Sequence, residues 1–158
     1  MNFHTARLLL LSTLLSVLSL SSLKAQDYDT AIGIRLGSAN GVSLKHFVNQ
    51  STAVEGMLVY RRNGFRLIGM AVGHVPLGRN TDTYLYFGGG GHVGYNNLLN
   101  AERSHYQVAG IDGMLGIEFG LPNHNASLAF DIKPMYELMG GRGFSGNNGG
   151  VTLRFWLN

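Results

Sequence analysis

The sequence lacks the residues that stabilise many small secreted domains or that bind metals through sulfur. It contains no cysteine, which excludes disulfides, thiolate metal sites and a lipid anchor attached through cysteine. The excess of basic over acidic residues is small, 12 against 9. Arg61 and Arg62 are the only adjacent basic pair, so no nucleic-acid partner is predicted. After residue 25, no apolar run approaches the ~20 residues that a membrane-spanning helix needs.

Residues 1–25 are predicted to form a cleaved signal peptide. Arg7 supplies the positive charge, residues 8–20 form an apolar run, and Leu23-Lys24-Ala25 resembles a cleavage site. The alternative is an uncleaved amphipathic anchor. Removal of Arg7 and Lys24 would leave 12 − 2 = 10 basic and 9 acidic residues, a formal charge of +1. Residues 26–158 are predicted to form one domain.

The strongest pattern lies in residues 104–120, where the side chains alternate with a period of two. One face would carry Ile111, Leu115 and Phe119, and the other would carry Asp112 and Glu118. Because successive side chains of a strand point to opposite faces, this segment predicts a strand with one apolar face. Its ~15 residues at about 3.3 Å each would span about 50 Å, against about 5–6 residues in an ordinary strand. That length favours a transmembrane barrel over a soluble sandwich.

Other segments alternate in the same way, and turn-forming residues separate them. The predicted strands are 30–37, 42–48, 52–60, 65–75, 83–95, 104–120, a strand that begins at Ala126, and 151–157. In the fourth strand, an inward Arg66 places Phe65, Leu67, Ala71 and Val75 outside. Pro134 must mark a bulge or the end of the seventh strand, because proline cannot donate a ladder hydrogen bond.

The predicted connections differ in length between the two ends of the sheet. Segments 38–41, 61–64, 96–104 and 139–149 lie at one end, and 49–51, 76–82 and 121–125 lie at the other. The two longest connections share the first end. Bacterial outer-membrane barrels have an even number of strands and keep their long loops outside the cell. The sequence therefore predicts an all-β fold, an eight-stranded antiparallel up-and-down transmembrane β-barrel.

The polar faces of these strands would converge inside the barrel. The predicted interior network consists of Arg35, Lys45, Glu55, Arg66, His92, Asp112, Glu118, Asp131, Lys133 and Arg154, with Tyr86 beside it. An eight-stranded barrel is just wide enough for side chains to fill, so we expect these charges to pair across it. The alternative is that they form the solvated surface of a small sandwich.

Aromatic residues are expected at the two membrane interfaces. Tyr60, Phe65, Tyr95 and Tyr106 fall near the long-loop end, and Phe119, Phe155 and Trp156 fall near the turn end. The run Gly88–Gly91 is not followed by a helix, so it predicts a bend or a close approach in a strand and not a phosphate loop.

The sequence shows no motif that would assemble a catalytic or metal site. Ser104 and His105 are adjacent, and neighbouring side chains of a strand point to opposite faces, which prevents direct contact. The 6 histidines lack the spacing of metal ligands, and His92 is better explained as a hydrogen-bonded interior residue. No enzymatic activity, metal or cofactor is predicted.

The segments AIGIRLG, GVSLKHF, YLYFGGGGHVGY, IDGMLGIEF, SLAFDIKP and VTLRFWL resemble the strands of small eight-stranded outer-membrane β-barrels of the OmpX and OmpA transmembrane type. The resemblance covers residues 26–158. It implies a Gram-negative outer membrane, with membrane lipid and the outer-membrane insertion machinery as partners. These proteins commonly end on an aromatic residue that the machinery reads, whereas this chain ends Phe155-Trp156-Leu157-Asn158.

The expected function is that of an integral outer-membrane protein with a filled lumen. Its role would be structural, or it would contact an unknown surface partner through loops 96–104 and 139–149. One alternative is a soluble periplasmic or secreted barrel that binds a small apolar ligand, as lipocalins do; the charged interior disfavours it. A second alternative is a membrane-embedded enzyme that modifies lipid.

Overall fold

The computed structural model describes residues 30–61, 64–78, 82–97, 105–121, 124–140, 143–146 and 148–157. The predicted signal peptide lies outside these residues, and so does the connection 98–104. In the described part of the chain, no helix is long and apolar enough to cross a membrane.

The described residues form ten antiparallel strands. They are β1 (Thr30–Gly37), β2 (Asn40–Asn49), β3 (Thr52–Arg61), β4 (Gly64–Pro76), β5 (Thr83–Asn97), β6 (His105–Leu121), β7 (Ala126–Ile132), β8 (Met135–Met139), β9 (Phe144–Ser145) and β10 (Gly149–Leu157). The predicted strand positions are confirmed, with boundaries that differ by a few residues.

The strands close into a barrel. The order around it is β5-β4-β3-β2-β1-β10-β7-β6, and β5 pairs with β6 to complete the circle. β8 continues β7 along the edge of β6, and the two-residue β9 pairs with β8. With β7 and β8 counted as one strand of the barrel and the short β9 left out, the barrel has eight strands. The predicted fold class is confirmed.

Alternation of side chains decides which face of each strand points outward. In β6, Leu115 is 48% exposed, whereas Glu118 is fully buried. In β4, Phe65, Leu67, Ala71 and Val75 are exposed and Arg66 is buried, so the predicted phase of that strand is confirmed. The result is a barrel whose outer surface is apolar and whose interior holds both charged and apolar side chains.

Pro134 lies in the two-residue break between β7, which ends at Ile132, and β8, which begins at Met135. Towards β6 the register is the same before and after Pro134, and the Gly113 N–H donates to the Pro134 carbonyl at 2.8 Å; the register shifts only farther along, between Ala109 and Gly110. Towards β10, the strand pairing runs to Ile132 and Gly149, and one further backbone bond joins the Lys133 N–H to the Asn148 carbonyl at 3.0 Å. The missing proline N–H removes one of the two hydrogen bonds that Pro134 and Gly113 would otherwise exchange. Beyond the proline, β8 has five residues.

The predicted loop 139–149 spans the interval from the end of β8 at Met139 to the start of β10 at Gly149, and part of it is paired. Phe144 and Ser145 pair with Tyr136 and Met135, and the Glu137 N–H donates to the Gly143 carbonyl at 3.1 Å. The chain turns sharply here, with φ angles of +68° at Gly140 and +76° at Gly143, which glycine adopts without strain.

The strands have unequal lengths around the barrel. On one side, β4, β5 and β6 have 13, 15 and 17 residues. On the opposite side, β1 and β10 have 8 and 9 residues. Since Thr30 pairs with Leu157 at the turn end, and Thr83 pairs with Phe119 at that same end, the extra length lies mainly at the loop end.

Two apolar clusters fill part of the interior. The larger one consists of Met57, Val59, Ile68, Met70, Val72, Tyr86, Met114 and Ala129. The smaller one, Ala31, Phe47 and Ala53, packs against Trp156. Trp156 therefore does not belong to an outer aromatic band, and that prediction was wrong. Trp156 lies two residues after Arg154 in β10, so both side chains point to the same, inner face.

Candidate functional site

All ten residues of the predicted interior network are buried. Their exposed fractions run from 0% for Lys45 and Glu118 to 6% for Asp131. Each comes from a different position along a strand whose opposite face is apolar, so the alternation that builds the outer surface also collects the charges inside.

Glu118 of β6 is the centre of the largest charge cluster. Its Oε2 lies 2.5 Å from Lys45 Nζ and 3.6 Å from an Arg154 guanidinium nitrogen. Its other oxygen accepts a hydrogen bond from the Ser127 hydroxyl at 2.6 Å. Arg154 also donates to Glu55 at 2.7 Å. This chain of contacts links β2, β3, β6 and β10 across the barrel.

Arg35 and Asp131 form a second buried ion pair. The guanidinium of Arg35 binds both carboxylate oxygens of Asp131, at 2.6 and 2.7 Å. The Tyr86 hydroxyl donates to the same carboxylate at 3.0 Å. A two-point guanidinium–carboxylate contact is strong and fixes direction as well as distance, so it ties β1, β5 and β7 to one another.

His92 and Asp112 form a separate hydrogen-bonded pair at 2.8 Å. Glycine makes room for the ring, since a Cβ at the facing Gly110 would lie 2.7 Å from the His92 ring. Gly116 accommodates the ring of Tyr86 in the same way. These pairs across β5 and β6 explain why glycine stands opposite large interior side chains.

Glu137 is an interior charge that the sequence analysis missed. It forms an ion pair with Arg66 near the loop end of the barrel. Glu137 is in phase with Asp131 and Lys133 along β7 and β8, and this two-residue spacing is a signal that could have found it. Pro134 concealed it, because the strand was expected to bulge or end there.

Lys133 has an unusual environment for a buried ammonium. Its Nζ donates to the thioether sulfur of Met57 at 2.8 Å, and it forms no ion pair among the described residues. It borders a cavity at the loop end that Arg35, Arg61, Arg66 and Asn148 also line.

No cluster of three or more potential metal ligands occurs within the described ranges. Of the residues weighed for catalysis, Ser104 lies outside the described residues, and the structure describes only the backbone of His105. His92 and Asp112 are brought together, with both side chains fully enclosed in the barrel.

The strand order and the closing β5–β6 pairing define the class of fold as a closed eight-stranded antiparallel barrel with an apolar exterior. Among solved structures, the crystal structure of the N-terminal β-barrel domain of Pseudomonas aeruginosa OprF is similar to this chain, with a TM-score of 0.61 at 15% identity. The match covers 82% of this chain and 100% of that one. It confirms the predicted resemblance at the level of the fold. No protein-family model and no curated protein matches the chain.

Proposed function

We propose that this protein is an integral outer-membrane β-barrel with a filled lumen. The observation that carries the proposal is the inversion of polarity: outward side chains such as Leu67, Leu115 and Leu153 are exposed, whereas Lys45, Glu118 and Arg154 are enclosed. In water, so large an apolar surface would drive aggregation. In lipid it is the stable arrangement, and a closed barrel leaves no unpaired strand edge.

Cell fractionation and gel migration test this location. The folded protein should collect with outer membranes, and unheated samples in SDS should migrate differently from boiled ones, because closed ladders resist the detergent. Folded material must first be verified by its β-sheet circular dichroism. Recovery in the soluble periplasmic fraction, or identical migration of verified folded and boiled samples, would contradict the proposal.

The interior contacts support a barrel that does not act as a general pore. Ion pairs cross the lumen at the level of Glu118 and again at Asp131, and apolar side chains occupy further interior space. Eight strands enclose only enough room for side chains, whereas open channels need about 16–18. Refolded protein in planar bilayers is therefore expected to show no stable, large single-channel conductance. Detection of such a conductance would contradict this proposal and would indicate a transport function.

We propose that the protein has a structural role or a surface-interaction role. The loop end of the barrel would carry out this role. The rigid interior would hold the loops, including 96–104 and 139–149, in a fixed arrangement. The lipocalin-like alternative is disfavoured, because an apolar ligand would meet Lys45, Glu118 and Arg154 inside. A lipid-modifying enzyme is also disfavoured, since the His92–Asp112 pair has no exposed side-chain surface for a substrate to reach.

A deletion of residues 99–102 tests the role of the loop. The barrel should keep its heat-dependent migration, because three residues remain to connect the paired ends of β5 and β6. Binding of cells to host or neighbouring-cell surfaces should fall if this loop makes the contact. Unchanged binding by the deletion variant and by a second variant lacking 141–142 would argue against a surface role.

A further inference from the structure

The outward apolar side chains of β1 and β2 form a band that is short for a membrane-spanning wall. They are Ile32, Ile34 and Leu36 on β1 and Val42, Leu44 and Val48 on β2, and each is 48–60% exposed. Ile32 pairs with Leu44, and Ile34 pairs with Val42, so the side chains form one continuous surface. We call these six residues the short face.

Polar groups end the short face towards the loops. The Gly37 N–H donates to Asn40 Oδ1 at 3.0 Å. Ser38 donates to the Gly149 carbonyl through its backbone N–H at 3.0 Å and through its hydroxyl at 3.1 Å. These bonds fix the β1–β2 turn to the start of β10, so the hairpin cannot extend farther in this direction.

A polar pair also interrupts the short face near the turn end. Thr30 Oγ1 and His46 Nδ1 lie 2.9 Å apart, and the His46 side chain is exposed on the outer surface between Leu44 and Val48. Polar side chains are costly in the hydrocarbon, so we expect this pair close to the headgroups. The short face is therefore bounded by polar groups at both ends.

The short face spans less height than the outward side of β5. Strands of such barrels tilt by about 35–45°, so a rise of about 3.3 Å per residue gives about 2.5 Å of height. Val42 and Val48 are six residues apart, or about 15 Å. On β5 the outward side chains run from Leu85 to Tyr95, ten residues apart, or about 25 Å. The apolar band of outer-membrane barrels is about 25 Å tall, which β5 matches and the short face does not.

We infer that the short face thins the membrane locally and selects phospholipids with short acyl chains as its neighbours. A hydrophobic surface shorter than the hydrocarbon is accommodated when the bilayer thins beside it. Thinning brings the headgroups down to Ser38 and Asn40, whose polar groups would otherwise lie in hydrocarbon. The inference rests on the membrane location proposed above.

A tilt of the whole barrel would not relieve the mismatch at both ends. Raising the β1–β2 side would draw the turn residues Asn49 and Gln50, both polar and exposed, into the hydrocarbon. It would also lower Tyr95 on the opposite side, away from the interface that tyrosine favours. Local thinning leaves the turn residues and Tyr95 where they are.

An arginine on the short face should cost less than an arginine at the same height on the other side of the barrel. Leu36 lies six residues from Thr30, and Leu115 lies six residues from Leu121, so both are equally far from the turn end. Because headgroups of a thinned bilayer reach Leu36, we expect Leu36→Arg to lower the folding equilibrium constant by no more than about fivefold. Leu115→Arg should lower it by about thirtyfold or more. Urea unfolding in lipid vesicles measures both changes.

Ile32→Arg separates thinning from tilt. Ile32 lies two residues from Thr30, close to the turn-end headgroups of an upright barrel, so its loss should also stay within about fivefold. A tilt would carry Ile32 towards the bilayer centre and raise this loss to that of Leu115→Arg. That result, or a loss for Leu36→Arg as large as that for Leu115→Arg, would overturn the inference. Small losses at all three positions would instead contradict the membrane location.

Fluorescence quenching tests the choice of lipid on a folded barrel without an added charge. The reporters are Ile34→Trp on the short face and Ile117→Trp at an outward position of β6, each combined with Trp156→Phe to remove the single native tryptophan. Vesicles mix dimyristoleoyl phosphatidylcholine with the longer dibromostearoyl phosphatidylcholine, and each signal is normalised to pure brominated lipid. We expect weaker quenching at Ile34→Trp, because the thinned region excludes the long brominated chains. Equal normalised quenching of the two reporters would overturn the inference while leaving the membrane barrel intact.

Discussion

Glu118→Gln is expected to destabilise the folded barrel by about 3–5 kcal/mol, because removal of one partner leaves a buried charge uncompensated. Glu118 faces Lys45 at 2.5 Å and Arg154 at 3.6 Å, and it accepts from Ser127 at 2.6 Å. Glutamine keeps the size and one acceptor but loses the negative charge. Urea unfolding of refolded protein in lipid vesicles, followed by gel migration, measures the change.

The matched test of this pair is a double-mutant cycle with Lys45→Met. Each single change leaves its partner charged, whereas the double change removes both charges of the closest contact. The double variant should therefore be more stable than the sum of the two single effects predicts, with a coupling of about 0.5–3 kcal/mol. Simple additivity would show that Lys45 and Glu118 do not form an energetically meaningful pair.

Leu115→Arg is expected to destabilise the barrel by about 2–4 kcal/mol in lipid, the cost of a lipid-facing arginine near the bilayer centre. Leu115 is 48% exposed on the outer surface and lies six residues from the turn end of β6 at Leu121. A membrane-spanning strand needs about 9–11 residues, so this position falls close to the middle of the span.

Leu138→Arg is the control for this prediction. Leu138 is also an outward leucine, 64% exposed, but Tyr136 already pairs with Ile111, so Leu138 lies farther towards the loops. Its substitution should cost only about 0–1 kcal/mol, as expected near an interface. Equal costs at both positions in the vesicle unfolding assay would mean that Leu115 does not face the lipid interior.

The outward and inward faces could be predicted because each depends on a local property. In β6, the alternation of Ile111 and Leu115 with Asp112 and Glu118 is visible in the sequence and becomes the exposed and buried pattern of the strand. A shift of the strand register by one residue would move every side chain to the opposite face of the sheet. The alternation therefore specifies strongly which side chains point inward. The same reasoning correctly placed Arg66 on the inward face of β4.

The pairing of the charges could not be predicted in this way. Arg35 and Asp131 are 96 positions apart in sequence, and their contact depends on how far the strands shift as the barrel closes. Alternation predicts the face of the sheet on which a side chain lies, but it does not predict the position of the residue along the barrel axis. At Pro134 the sequence left a bulge and a strand end open; β7 ends at Ile132 and β8 begins at Met135, while the Gly113 N–H still bonds the Pro134 carbonyl. Glu137 was hidden for that reason.

The unequal strand lengths give the barrel a sloping rim. If about 9–11 residues cross the hydrocarbon, β5 and β6 rise well above the membrane, and each extra residue adds about 3.3 Å along the strand. β1 and β10, with 8 and 9 residues, end much lower. The longer strands β5 and β6 would project beyond the rest of the rim and shield one side of the barrel opening. An approaching solute would then reach the opening chiefly from the low side, at Ser38 and Ala39 between β1 and β2.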